Sequence, residues 1–179
     1  MLTALLFSSL LTVTPGFWSG PTGPNPGFTV NTAKNDPEHL ERLDGTKLQQ
    51  LVKNRHGRAL FINVWATWCA PCVEEFPDIV RIARELKDRK IDFVGVSADD
   101  FEDESSRVVP FIAKQKASFK FYIAKLEGED AFIDTFDKKW GGGIPATFIY
   151  DSQGHKKVFL LGKQSYQSLK AAIRGVIGE

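Results

Sequence analysis

Trp65-Ala66-Thr67-Trp68-Cys69-Ala70-Pro71-Cys72 holds both cysteines of a 179-residue chain, two residues apart. An apolar run interrupted only by Asn63, Ala59 to Val64, leads into it, and an amphipathic helical pattern begins near Ala70. The run before it, RALFINVW (58–65), does not alternate and so reads as a central strand buried on both faces. After the dithiol, Val73, Phe76, Val80, Ala83 and Leu86 recur at three- and four-residue steps, the stripe of one buried helix face. Pro71 falls in the first helical turn, where its missing N–H costs nothing, whereas Pro77 lies deeper and is expected to kink the helix. A Cys-x-x-Cys at a strand-to-helix junction places its first sulfur at a helix N-terminus, where free N–H groups and the macrodipole favour thiolate. The second sulfur lies within reach to close a small disulfide ring. Cys69 is therefore expected to be an accessible nucleophile and Cys72 the resolving thiol.

Composition narrows the alternatives. Hydrophobic residues at 42% and charged residues at 25% are ordinary globular values, and the length suits one domain with a sizeable core. A net charge of +1 without a Lys/Arg run argues against a nucleic-acid surface. The densest charge cluster, DDFEDE at 99–104, reads as a solvated loop. Two cysteines cannot form a disulfide framework or a four-ligand zinc site, and His39, His56 and His155 are scattered. With no third cysteine, an outside partner must restore the dithiol after each turnover.

Residues 1–14, MLTALLFSSLLTVT, have the length of a signal-peptide apolar region, although no Lys or Arg occurs before Lys34. They are taken as an export signal or short N-terminal membrane tether. A Pro/Gly-rich linker (15–35) follows, and residues 36–179 are expected to form the folded domain. Within it, 40–43 reads as a short strand and Thr46 as the cap of a helix carrying Leu48, Leu51 and Val52. IDFVGVS (91–97) is a second buried strand, a helix is expected over about 105–116, and 119–124 is a further strand. Phe132, Ile133, Phe136 and Trp140 share a helical face that Gly141-Gly142-Gly143 ends. Residues 146–150 and 156–161 flank a four-residue turn as an antiparallel hairpin, and a last helix carries Tyr166, Leu169, Ile173 and Val176.

WATWCAPC followed by EEFP, with GGGIPATF further on, resembles the thioredoxin superfamily, and within it the TlpA/ResA-like exported thiol–disulfide oxidoreductases. The likeness covers about residues 40–177. It implies an α/β, three-layer thioredoxin-like fold: a mixed central sheet flanked by helices, with a strand–helix insertion at 98–124. It also implies a cis peptide bond between Ile144 and Pro145 opposite the dithiol, exposing the backbone of Ile144 for strand-like pairing with substrate. Trp68, Pro71, Ile144 and Pro145 are thus the expected substrate-facing residues, and Trp65 and Trp68 the expected apolar rim, with Trp65 the deeper. Glu75, one turn after Cys72, matches a glutamate of the related exported enzymes and either holds a proton for Cys72 or tunes the thiol pKa values, or else simply complements the helix dipole. Asn63 departs from the aspartate that general-purpose thioredoxins carry at this strand position, so the proton route through a strand carboxylate is closed.

The function expected is a thiol–disulfide oxidoreductase, monomeric and outside the cytoplasm, reducing protein disulfides and recharged by a membrane thiol donor. No cofactor beyond the Cys69–Cys72 pair and no metal is expected, since no NAD or flavin fingerprint occurs. Related exported enzymes act on apocytochrome c or copper-site cysteines. Two alternatives remain at this point: a disulfide oxidase or isomerase, and a non-enzymatic Cu(I) chaperone using the two thiolates. The Pro-x-x-x-Thr-x-x-Cys arrangement of a thiol peroxidase is absent around Cys69.

Overall fold

The computed structural model describes residues 39–125 and 129–179, apart from the side chains of 129–131. The expected leader (1–14) and linker (15–35) lie outside the described residues. Six strands form one sheet in the order β1-β4-β3-β2-β5-β6. These are β1 (Glu41–Leu43), β2 (Ala59–Trp65), β3 (Ile91–Ser97), β4 (Lys120–Ala124), β5 (Ala146–Tyr150) and β6 (Lys156–Leu161). The first four in the sheet are mutually parallel, β5 runs antiparallel to β2, and β6 antiparallel to β5. Helices α1 (Gly45–Lys53), α2 (Ala70–Glu85), α3 (Val109–Gln115), α4 (Glu129–Phe136) and α5 (Tyr166–Ile177) complete the α/β order.

Because β2 is buried along its whole length, its alternate residues serve two cores. Leu60, Ile62 and Val64 face Leu48 of α1 and Phe132 and Phe136 of α4. Phe61 faces Ile79 and Ile82 of α2 and Leu169 and Ile173 of α5. Trp65 ends the strand in a third cluster with Cys69, Cys72 and Phe76, closed by Val108 and by Ile112 of α3. Helices on both faces of the sheet make the three layers of the expected thioredoxin-like fold. Segment 98–124 supplies α3 and then β4, which lies between β1 and β3, as an insertion should.

Three local expectations need correction. The cap of α1 is Asp44, not Thr46: its carboxylate accepts the Lys47 N–H at 2.8 Å, and Thr46 is already helical. Helix α4 stops at Phe136, so Trp140 reaches the core from a turn, with its indole N–H donating to the Gly143 carbonyl at 2.8 Å. Pro77 lies inside α2, as its place in the sequence implied, and the helix runs on to Glu85. The acidic run at 99–104 is not a solvated loop, since Asp99 and Glu104 are buried and the chain winds through a 3₁₀ turn and a π turn into α3. Among the described residues no helix is long and apolar enough to cross a membrane.

Gly95 of β3 has a packing reason. A Cβ built there would collide with the Phe121 ring and lie 3.3 Å from the indole nitrogen of Trp65. Trp65 is fully buried, its N–H has no hydrogen-bond partner, and it packs among the rings of Phe76, Phe111 and Phe121. Gly95→Ala should therefore destabilise the fold by about 1–3 kcal/mol, the usual cost of overpacking a filled core. Urea unfolding measures this, and an unchanged midpoint would mean the two rings yield freely.

Candidate active site

The last residues of β2 deliver the chain to the dithiol. Cys69 has extended backbone and caps α2, with its sulfur accepting the Cys72 N–H at 3.3 Å and its carbonyl accepting the Val73 N–H at 3.0 Å. The expected first-turn proline is in place at Pro71. The two sulfurs are bonded at 2.02 Å, with the Cα atoms 5.2 Å apart. Cys69 is less accessible than the sequence implied, at 6% exposure, yet it remains the more open of the pair, Cys72 being at 2%. In Trp-x-x-Trp-Cys the two indoles part company: Trp65 is wholly in the core, and Trp68 stands 59% exposed beside Cys69. Trp68 alone is therefore the rim.

Opposite, the Ile144–Pro145 bond is cis. Its position follows from register, because Ala146, the first residue of β5, pairs with Val64 of β2 and with Leu161 of β6. The Pro145 carbonyl accepts the Gly162 N–H at 2.8 Å, which ties this bend to the end of β6. Ile144 precedes the ladder and packs partly buried against the cluster that holds both cysteines. Of the expected substrate-facing residues, Trp68 and Pro71 are exposed and Ile144 half-buried, while the Pro145 side chain is buried. A cavity of about 180 Å³ lies between Trp68, Ile144, Val64, Phe132 and Trp140. A larger one of about 440 Å³, near Arg55, Asp92 and Phe93, touches none of the expected site residues.

Glu75 is almost fully buried, at 1% exposure, on the turn of α2 that follows Cys72. Its Oε1 accepts from the Asn63 amide at 3.1 Å, and its Oε2 from the backbone N–H of Gln164 at 2.5 Å. The same Asn63 nitrogen donates to the Thr147 hydroxyl at 3.1 Å across the β2–β5 pair. Burial pushes the Glu75 carboxyl above its ordinary range, and these two donors oppose the shift without cancelling it. A buried carboxyl that holds its proton more firmly than usual thus sits one helical turn after Cys72 along α2. The sequence named Glu75 and Asn63 separately; Thr147 and Gln164 were missed, the latter because it acts through its backbone.

A second buried carboxylate, Asp99, was also missed. It receives the Thr67 N–H at 2.9 Å and the Ser97 hydroxyl at 2.6 Å, and is bonded by the Thr67 hydroxyl as well. Beside it, the Ala98 N–H donates to the Trp65 carbonyl at 2.7 Å. The turn between β2 and Cys69 is therefore clamped to the end of β3.

A family model described as AhpC/TSA matches residues 26–157, and the chain belongs to that family. It is 25% identical over 134 residues to a thiol-disulfide oxidoreductase ResA of Bacillus cereus, covering 75% of this chain and 71% of that protein. Among solved structures, a thiol:disulfide interchange protein of the thioredoxin family from Chlorobium tepidum TLS matches with a TM-score of 0.60 and 26% identity, over 69% of this chain and 83% of that one. StoA of Bacillus subtilis shares the fold with a TM-score of 0.52 at 20% identity, over 65% and 83% of the two chains. Fold, dithiol and relatives agree on a thiol–disulfide oxidoreductase of the thioredoxin-like kind.

The raised Glu75 pKa carries a stability consequence. Above the ordinary value of 4.5 the unfolded chain releases this proton while the folded protein keeps it. Stability contributed by the neutral carboxyl is thus present below 4.5 and lost as pH rises through the raised folded value. Urea unfolding at a series of pH values should show wild type losing stability relative to Glu75→Gln across that window. Parallel curves would mean that Glu75 titrates as an ordinary carboxyl.

Proposed function

We propose that this member of the AhpC/TSA family is a reductant of protein disulfides that works outside the cytoplasm. One observation supports the direction of electron flow: between the sulfurs stand only Ala70 and Pro71, and among the described residues the hydrogen bond to the Cys69 sulfur is a single backbone N–H from Cys72. With no imidazole or other side-chain donor in the dipeptide, the thiolate is weakly stabilised and the reduced form readily gives up its electrons.

In the forward step the Cys69 thiolate attacks one sulfur of the substrate disulfide. That bond breaks, a mixed disulfide forms, and the departing substrate sulfur takes a proton. Cys72 then loses its proton and attacks the Cys69 sulfur, closing the Cys69–Cys72 bond and releasing the second substrate thiol. Two electrons have passed from the dithiol to the substrate. Glu75 is the nearest buried carboxyl along the helix to take the Cys72 proton, a role that its raised pKa supports.

Exposed Trp68 and Pro71, with Ile144 beside the dithiol, offer a mostly apolar approach for an extended polypeptide, paired through the Ile144 backbone. Cysteine pairs of apocytochromes c or of copper-site proteins are the substrate class that the likeness to exported enzymes favours. The two cysteines leave no internal relay, so a membrane thiol carrier is the natural donor, and the apolar 1–14 segment would bring the domain to that membrane.

Insulin reduction and equilibration with glutathione test this reading. Wild type should reduce insulin and show a potential nearer to that of thioredoxin, about −270 mV, than to the about −120 mV of the strongest oxidant of the superfamily. Cys69→Ser should fall to background, Cys72→Ser should accumulate mixed disulfides, and Glu75→Gln should displace the pH dependence of the rate. A potential at the oxidising end would overturn the assignment as a reductant.

A further inference from the structure

Asp99 is 1% exposed, and none of the steps above uses it. Its carboxylate spans the turn that carries the nucleophile. The Thr67 N–H reaches both oxygens, at 2.9 and 3.2 Å, the Thr67 hydroxyl bonds Oδ1, and the Ser97 hydroxyl bonds Oδ2 at 2.6 Å. Its own N–H returns to the Ser97 oxygen at 3.0 Å, and Ser97 is wholly buried. All three donors are uncharged, so they orient the carboxylate without cancelling its charge. Thr67 is two residues before Cys69, and the Cys69 N–H itself donates back into this turn, to the Ala66 carbonyl at 3.3 Å.

A loop needs no carboxylate to be held in place; a serine or asparagine would accept the same N–H. A buried anion is a costly choice unless its charge matters. Here it is hydrogen-bonded to the turn that leads into Cys69, whose sulfur sits at a helix N-terminus, and an anion and a helix N-terminus act oppositely on a developing thiolate. We propose that Asp99 is a positioning residue for the dithiol, pinning the Thr67 turn before Cys69 while its charge disfavours the Cys69 thiolate and so makes the pair more strongly reducing. This deepens the reading of Cys69 as the attacking sulfur and rests on it.

The test compares full-length wild type, Asp99→Asn and Ser97→Ala by equilibration with glutathione and by pH titration of the thiolate ultraviolet absorbance. Asp99→Asn keeps an acceptor for Thr67 but removes the charge. It should move the equilibrium towards the dithiol about tenfold, equivalent to about 30 mV for a two-electron couple, and bring thiolate formation to lower pH. Ser97→Ala keeps the charge and strips one of its donors, so it should move both readouts the other way, by about threefold in the equilibrium. Damage to packing alone would lower the melting temperature of both variants without producing opposite shifts. The proposal is overturned if Asp99→Asn leaves equilibrium and titration unchanged, or if both variants shift in one direction. Should Asp99→Asn not fold, Ser97→Ala decides alone, and an absent or oxidising shift refutes the role. Insulin reduction by wild type reports separately on the parent reading, because its failure would leave the glutathione equilibria measurable.

Discussion

The contact between the Cys72 N–H and the Cys69 sulfur joins chemistry to fold. It exists only because Cys69 is the capping residue of α2, extended in backbone while Ala70 already begins the helix. That placement depends on where β2 ends. Trp65 is locked into a ring cluster against Phe76, Phe111 and Phe121, so the chain has only the short stretch from Ala66 to Cys69 in which to leave the sheet and enter the helix. Anything that loosened the end of β2 would unseat the sulfur before it disturbed the core at large.

Two buried carboxyl groups brace this junction, each with a partner distant in sequence. Asp99 ties the turn to β3 through Thr67 and Ser97. Glu75 ties α2 to β2 through Asn63 and to the approach of α5 through Gln164. Neither has a charged donor among these hydrogen bonds. Surface acids such as Glu85 differ, since Lys170 and Tyr166 draw that carboxyl down to about 2.

The sequence made legible what hydrophobic periodicity encodes. β2, α2, β3, β5 and α5 all declare themselves, since each buries a continuous run or a clean stripe, and the turn at 151–154 marks β6 as the partner of β5. The insertion and the cis Ile144–Pro145 bond came from resemblance, a motif match that periodicity alone does not provide. What stayed hidden was polar and long-range. Asp99 opens a run of acids that reads as solvated, and only the fold brings Thr67 over it. Trp140 continues the spacing of Phe132 and Phe136 and so mimics a helical position, yet its indole is satisfied by a turn carbonyl after the helix has ended. Local pattern sets the elements, whereas capture of a buried polar group is decided by tertiary neighbours.

Asn63 then ceases to be an anomaly. An aspartate at that position, where the amide lies 3.1 Å from Glu75, would set two carboxylates within hydrogen-bonding range in a buried site, and one would have to stay protonated. The amide avoids the conflict and has a nitrogen to offer both Glu75 and Thr147. A carboxyl on strand and helix alike would thus crowd one buried position, and here α2 alone supplies it. Placing it on α2 puts the acid on the same helix as the sulfurs, and its pKa then answers to the Gln164 turn before α5 as well as to the strand beneath.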